Sequence, residues 1–325
     1  MIWVNKRWVI ALFGVLTLGV GILGAFFGPV ELYCFYLFEE GGPFHYPGFG
    51  FGSFMFGNIA TQIIGYYVIA ALFIPLGYGH FVGRRWARTL ALTLLWSWIV
   101  VGVPLSIVFL FVLLTAKDLS LAWALVALAL TVSGYLILPW LLIRFYDSRG
   151  VRAAFEVRDP NSGRLDQCPL PILVLSFLYT LYIVCLHVPL FFRGIFPFFG
   201  TFLFDLDGIL GLTLSMFVLA LLVWGTLRRR HWAWWGALIY LGLSIVSISI
   251  TLVGMDYPDL LDRLAFPPAE VDVLRGLPVQ GLYLVPLIGL PLAMTLGAVV
   301  LARKHFDFKR VRHAERPPNT EPVRQ

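Results

Sequence analysis

The side chains best suited to chemistry in this chain are one imidazole and two carboxylates, His187, Asp205 and Asp207, joined by a connection short enough for them to converge. A histidine nitrogen and two carboxylates make a donor set for a divalent cation, and a cation so held activates a bound water. The spacing follows no metal-binding signature. Asp-Leu-Asp ahead of an apolar run is also how a helix begins, with acids at the positive end of its dipole. Glu31, Glu39, Glu40 and His45 come from an earlier loop that faces the same side. Ligand binding at His187, Asp205 and Asp207 is therefore an expectation, and the sequence names no catalytic residue, metal or cofactor.

Other chemistries find less support. A haem needs two axial ligands at matching depth, but His80 is expected near the inner face of the membrane and His187 near the outer. Cys34, Cys168 and Cys185 are expected on one side, on the other and within a helix, too few and too dispersed for a disulfide framework. There is no phosphate loop, nucleophile elbow, zinc motif or dinucleotide fingerprint.

The elements that position these side chains are set by composition. With 59% hydrophobic and 13% charged residues, the chain has too little polar surface for a water-solvated globule. Eight uncharged runs, at 8–27, 59–79, 89–114, 119–143, 170–192, 208–227, 232–254 and 279–302, are each long enough for a helix to cross a bilayer. They are continuously apolar, where barrel strands would alternate, so the fold class is an all-α polytopic membrane helix bundle.

The net charge of +6 does not form one patch, which argues against nucleic acid as a partner and for the lipid bilayer. All but four of the 24 Lys and Arg residues fall before the first run, between alternate runs, or after the last. The exceptions are Lys117, Arg193, Arg263 and Arg275. By the positive-inside rule both termini are expected in the cytoplasm of a cell with the chain in its inner (plasma) membrane. Lys6 and Arg7 precede the first run as in a secretory signal, but its length and the lack of a small-x-small site after it indicate an uncleaved helix.

Within this frame, Gly24 and Gly28 let a second helix approach the first closely. The Phe- and Gly-rich stretch 47–54 cannot be a regular helix, and is expected at headgroup level or folded back over the bundle as a lid. Arg84, Trp86 and Arg88, with Arg230 and Trp232, form a repeated Arg-x-Trp-Ala element that anchors a helix at fixed depth. Pro104, Pro139, Pro189, Pro286 and Pro291 predict kinks. Ser244, Ser247 and Thr251 share one helix face, suited to bonds between helices. Pro267 and Pro268 open a short helix that Gly276 ends.

The stretch 145–152 has a copy at 305–312, aligning Tyr146 with Phe306, Asp147 with Asp307, Val151 with Val311 and Arg152 with Arg312. Residues 1–143 and 170–302 thus read as two four-helix halves, with a link at 144–169 and a basic tail at 303–325. An even number of spans makes the two repeats parallel.

Trp86-Ala87-Arg88 before one span, with an aromatic-rich helix exit running into Val151-Arg152-Ala153-Ala154-Phe155, resembles a pattern in uncharacterised small multipass membrane proteins of bacteria and archaea. In those proteins the exit reads Tyr-Phe, then Arg-Pro-Glu-Val and an aromatic; here Arg149-Gly150-Val151 replaces the proline and the acid. The resemblance implies location and topology, and no activity. The expected function is a non-enzymatic, permease-like or accessory membrane component with a membrane protein as a further candidate partner. The alternative is a membrane enzyme with an outward-facing, metal-dependent site.

Overall fold

The computed structural model describes residues 2–115, 120–161, 163–276 and 281–306. Most of the second copy of the repeated stretch, including Asp307, Val311 and Arg312, and the basic tail from 307 onward lie outside the described residues, as does Lys117. Among the described residues, eight helical segments are long and apolar enough to cross a membrane: Trp8–Phe38, Phe54–Val82, Arg85–Leu110, Ala122–Asp147, Leu170–Phe191, Asp205–Leu227, His231–Val253 and Leu284–His305. Each coincides with one apolar run of the sequence. The chain is an all-α bundle.

Helix α1 (Ile2–Phe38) forms a hairpin with α2 (Phe54–Val82). Apolar surface gains little by moving from lipid to a neighbouring helix, so close van der Waals approach must hold such a pair. A β-carbon at Gly21 would lie 2.6 Å from the backbone nitrogen of Ile74, one at Gly24 2.8 Å from the Tyr66 carbonyl, and one at Gly77 2.6 Å from the Leu18 nitrogen. The helices touch through these glycines. At 37 residues α1 is about 55 Å long, well beyond a hydrocarbon core of about 30 Å, and in its last turns Phe35 packs on Phe56 of α2 and Phe38 on Phe49 of the connecting loop.

Helix α3 (Arg85–Thr115) continues through Pro104. The fourth span is not one continuous α-helix: α4 (Leu121–Val132) passes into a π-helical turn, Ser133–Ile137, before α5 (Leu138–Asp147). Pro139 has no N–H to give the preceding turn, and the wider turn absorbs the lost bond. Amphipathic α6 (Arg149–Arg158) and the single turn α7 (Arg164–Gln167) then cross the end of the bundle, with Val151 and Phe155 buried beneath.

Helix α8 (Leu170–Cys185) starts the second half and gives way to a 3-10 turn, Val188–Phe191, at Pro189. Between the runs 170–192 and 208–227 the chain forms a two-stranded antiparallel hairpin, β1 (Phe196–Phe198) and β2 (Thr201–Leu203), which the apolar pattern did not announce. Helices α9 (Asp205–Leu227) and α10 (His231–Val253) follow, then short α11 (Tyr257–Leu264) and α12 (Pro268–Arg275), which Gly276 caps. Helix α13 (Gly281–Leu301) passes unbroken through Pro286 and Pro291.

The first core gathers Leu76, Ala87, Ile143, Tyr146, Val151 and Phe155; the second gathers Ile172, Tyr179, Leu222, Trp234, Val299 and Phe306. Val100 of α3 meets Val174 and Leu178 of α8 at the seam between them. The two ends of the bundle differ in chemistry. One carries the arginines of 84–88, 144–164 and 228–230; the other carries the phenylalanine-rich loop 39–53, the hairpin and α11–α12.

Candidate functional site

At the aromatic end, Asp205 opens α9 and is held by Arg193, whose Nη2 lies 2.6 Å from Oδ2 and whose Nε lies 3.1 Å from Oδ1. The Asp205 amide donates to the Arg193 carbonyl at 2.7 Å, closing the base of the hairpin. A further Arg193 nitrogen donates to the Arg263 carbonyl at the end of α11. His187 donates from Nδ1 to the Ile183 carbonyl one turn back at 2.8 Å, and Asp207 sits exposed in the first turn of α9. Asp205 thus has a cation of its own, and His187 closes a helix turn. Among the described residues, no group of three His, Cys, Asp or Glu side chains is placed to hold a metal ion.

The stretch 47–54 folds back over the bundle. Phe51 and Phe56 pack on Phe191, and Phe54 packs on Phe192 and Phe266. Gly48 lies against Pro267, with left-handed φ of 92°, which only glycine tolerates easily. The contact that fixes this cover was not foreseen. Glu270 of α12 is buried, and its carboxylate accepts the N–H groups of Phe54 at 2.7 Å and Met55 at 2.9 Å and the phenol of Tyr46. The first amides of a helix have no partners within it, so an anion there is favoured by both hydrogen bonding and the helix dipole. Ser53 caps the same terminus by accepting from Phe56. Burial, and secondarily the bond to Glu270, pushes the Tyr46 phenol well above the ordinary tyrosine range.

At the basic end, the Arg-x-Trp-Ala elements close two equivalent turns. The Arg84 amide donates to the Gly79 carbonyl at 2.8 Å, and the Arg230 amide donates to the Gly225 carbonyl at 2.9 Å. The left-handed position is Gly83 in the first (φ 74°) and Arg229 in the second (φ 53°). In each turn the indole and the alanine methyl lie over the glycine: a β-carbon at Gly79 would come within 2.8 Å of Trp86, and one at Gly225 within 2.6 Å of Trp232. Arg84 pairs with Asp159 at 3.7 Å, and Arg88 donates to the Tyr146 carbonyl and approaches Asp147 at 3.4 Å. Exposed pairs of this kind add about 0–1 kcal/mol each, so they orient the link 144–169 more than they stabilise it.

Two further anchors escaped the sequence pattern. Arg144 lies over Trp140 at 5.2 Å and Arg228 over Trp224 at 4.5 Å, each one turn along its own helix. An i, i+4 Trp–Arg pair at a span end was the available signal.

Behind the first turn, His80 is fully buried. Its Nδ1 donates to the Leu76 carbonyl at 2.7 Å, leaving Nε2 to accept from the Tyr146 hydroxyl at 2.6 Å, with Phe155 edge-on to the imidazole. Thr226 follows Gly225 in the second turn as His80 follows Gly79 in the first; Thr226 and Phe306 are both buried, and the Thr226 hydroxyl has no hydrogen-bond partner.

No protein-family model, no curated protein and no solved structure matches the chain.

The bundle interior is mainly apolar, with buried hydroxyls among its side chains. The Tyr182 hydroxyl lies 2.6 Å from that of Thr295 and 3.2 Å from the Pro291 carbonyl on α13. Ser247 and Thr251, expected to bridge helices, bind the hairpin turn instead: Ser247 Oγ accepts from the Phe199 amide at 3.0 Å and Thr251 Oγ1 from the Gly200 amide at 2.9 Å. The turn leaves those amides without strand partners, and the α10 hydroxyls satisfy them.

Proposed function

We propose that this is a multipass protein of the inner (plasma) membrane, with both termini cytoplasmic, built from two parallel four-helix repeats and acting as a permease-like or accessory component. The observation that carries the proposal is the pair of equivalent turns at the basic end, Gly79 to Ala87 and Gly225 to Ala233. Each joins the second span of a half to the third, which supports a common ancestor for the halves. The placement of all but four Lys and Arg residues on the sequence segments of one side supports the orientation.

The central turns of the eight spans carry hydroxyls but no Asp, Glu, Lys or Arg. Ion-coupled pumps keep an ionisable side chain there, so an uncharged interior favours a neutral solute or a structural role. Reporter fusions after Gly48 and after Asn161 test the topology. Opposite sides of the membrane are expected, and the scheme fails if both report the same side. Gentle purification followed by mass spectrometry and metal analysis tests the role. A stoichiometric protein or neutral ligand is expected, and a tightly held catalytic metal would overturn the non-enzymatic reading.

A further inference from the structure

The hairpin Phe196–Leu203 lies within the depth of the spans. Two independent contacts fix its level. The Phe196 ring fills the space over Gly211, where a β-carbon would come within 2.7 Å of it, and Gly211 is six residues along α9 from Asp205. The turn binds Ser247, which is six residues before the end of α10 at Val253. At a rise of about 1.5 Å per residue, Gly211 and Ser247 lie about 9 Å inside the helix ends, and Thr251, which accepts from the Gly200 amide, about 3 Å inside. The hairpin therefore bridges from α9 to α10 at one level, below the Arg193–Asp205 pair that closes its base.

Its exposed side is apolar apart from Thr201. Phe198 and Phe199 are 47% and 48% exposed, pack edge-to-face at 5.2 Å, and continue the exposed surface of Val246, Ile250 and Val253 on α10. A β-carbon at Gly200 would meet Ile250. A turn amide left unbonded in hydrocarbon is costly, and irregular backbone at membrane depth is tolerated only where protein satisfies it or it lines a water-filled cavity. Ser247 and Thr251, both buried, satisfy two such amides, and Ser247 also donates to the Pro197 carbonyl at 3.2 Å. In water those amides would need no such partners.

We propose that Phe196–Leu203 is a membrane-immersed hairpin whose Phe198 and Phe199 face the acyl chains of the bilayer leaflet at the aromatic end, wedged between α9 and α10. The inference rests on the membrane reading above and adds a lipid-contacting element that is not a helix.

Spin labels on a variant with Cys34, Cys168 and Cys185 changed to Ser, reconstituted in phosphatidylcholine vesicles, test it. Phe199→Cys is the probe, with Phe198→Cys as a second position should the first fold poorly. Val246→Cys on α10 serves as the lipid reference and Val273→Cys, 69% exposed on α12, as the aqueous reference. Labels at 198 and 199 are expected to behave like 246, with collisions several-fold more frequent with oxygen than with a nickel chelate. If 198 and 199 behave like 273 while 246 remains lipid-like, the hairpin proposal is overturned and the membrane reading stands. If 246 is also water-accessible, both fall. Strong spin–spin broadening at 199 would assign the surface to a second copy of the chain and overturn the lipid assignment.

Discussion

The carboxylate of Glu270 closes the first turn of the helix that starts at Phe54, accepting the Phe54 amide at 2.7 Å from a position 216 residues further along the chain. It joins the phenylalanine-rich loop of the first half to the short helices of the second. Glu270→Ala leaves two amides and the Tyr46 phenol without a charged acceptor, and is expected to lower stability by about 3 kcal/mol. Glu270→Gln keeps an acceptor oxygen and should lose less. Thermal unfolding in detergent, with limited proteolysis of the 39–53 loop, reads both; an alanine variant that melts and resists protease like the parent contradicts the latch.

The glycines of α1 are not equivalent. Gly21 has the Ile74 backbone 2.6 Å from a virtual β-carbon, whereas Gly19 has nothing within 4 Å. Gly21→Ala is expected to force α1 from α2 and destabilise by about 1–3 kcal/mol. Gly19→Ala removes a flexible residue from a helix and should stabilise by about 0.5–1 kcal/mol. Equal melting shifts for the two variants would show that the helix hairpin is not held by close approach.

Tyr146→Phe leaves the buried Nε2 of His80 without its donor and should cost about 1–3 kcal/mol. Under the two-repeat proposal, the reciprocal change Phe306→Tyr brings a hydroxyl toward the unpartnered Thr226 and should be neutral or stabilising by about 1 kcal/mol. A strong destabilisation by Phe306→Tyr counts against the equivalence of the two halves.

Asp205 and Asp207 should respond differently to loss of charge. Asp205→Asn weakens the paired contact with Arg193 at the base of the hairpin, and faster proteolysis near 193–205 is expected. His187→Ala with Asp207→Asn should leave melting and any co-purifying metal unchanged, because His187 bonds only its own helix turn in the structure and Asp207 stands exposed. Loss of a metal from that double variant at unchanged stability would instead establish a ligand site there.

The eight spans were legible in the sequence because crossing a hydrocarbon layer is a local demand: about 20 apolar residues in a row satisfy it wherever the rest of the chain lies. The short helix from Pro268 to Gly276 was equally local, set by a proline start and a glycine stop. The sequence also showed the repeated Arg-x-Trp-Ala element, though not that each indole covers a glycine of the preceding helix, a contact made only when the turn closes. His187, Asp205 and Asp207 were grouped by type and nearness in sequence. Folding determined that Arg193 takes Asp205 and that His187 turns back on Ile183. The hairpin was hidden because Phe-Pro-Phe-Phe-Gly-Thr-Phe-Leu has no polar alternation, and its turn amides are satisfied by hydroxyls some fifty residues away. Hydropathy and charge act along the chain and can be read from it, whereas the pairing of Glu270 with the amides of Phe54 and Met55 exists only where two distant segments meet in space.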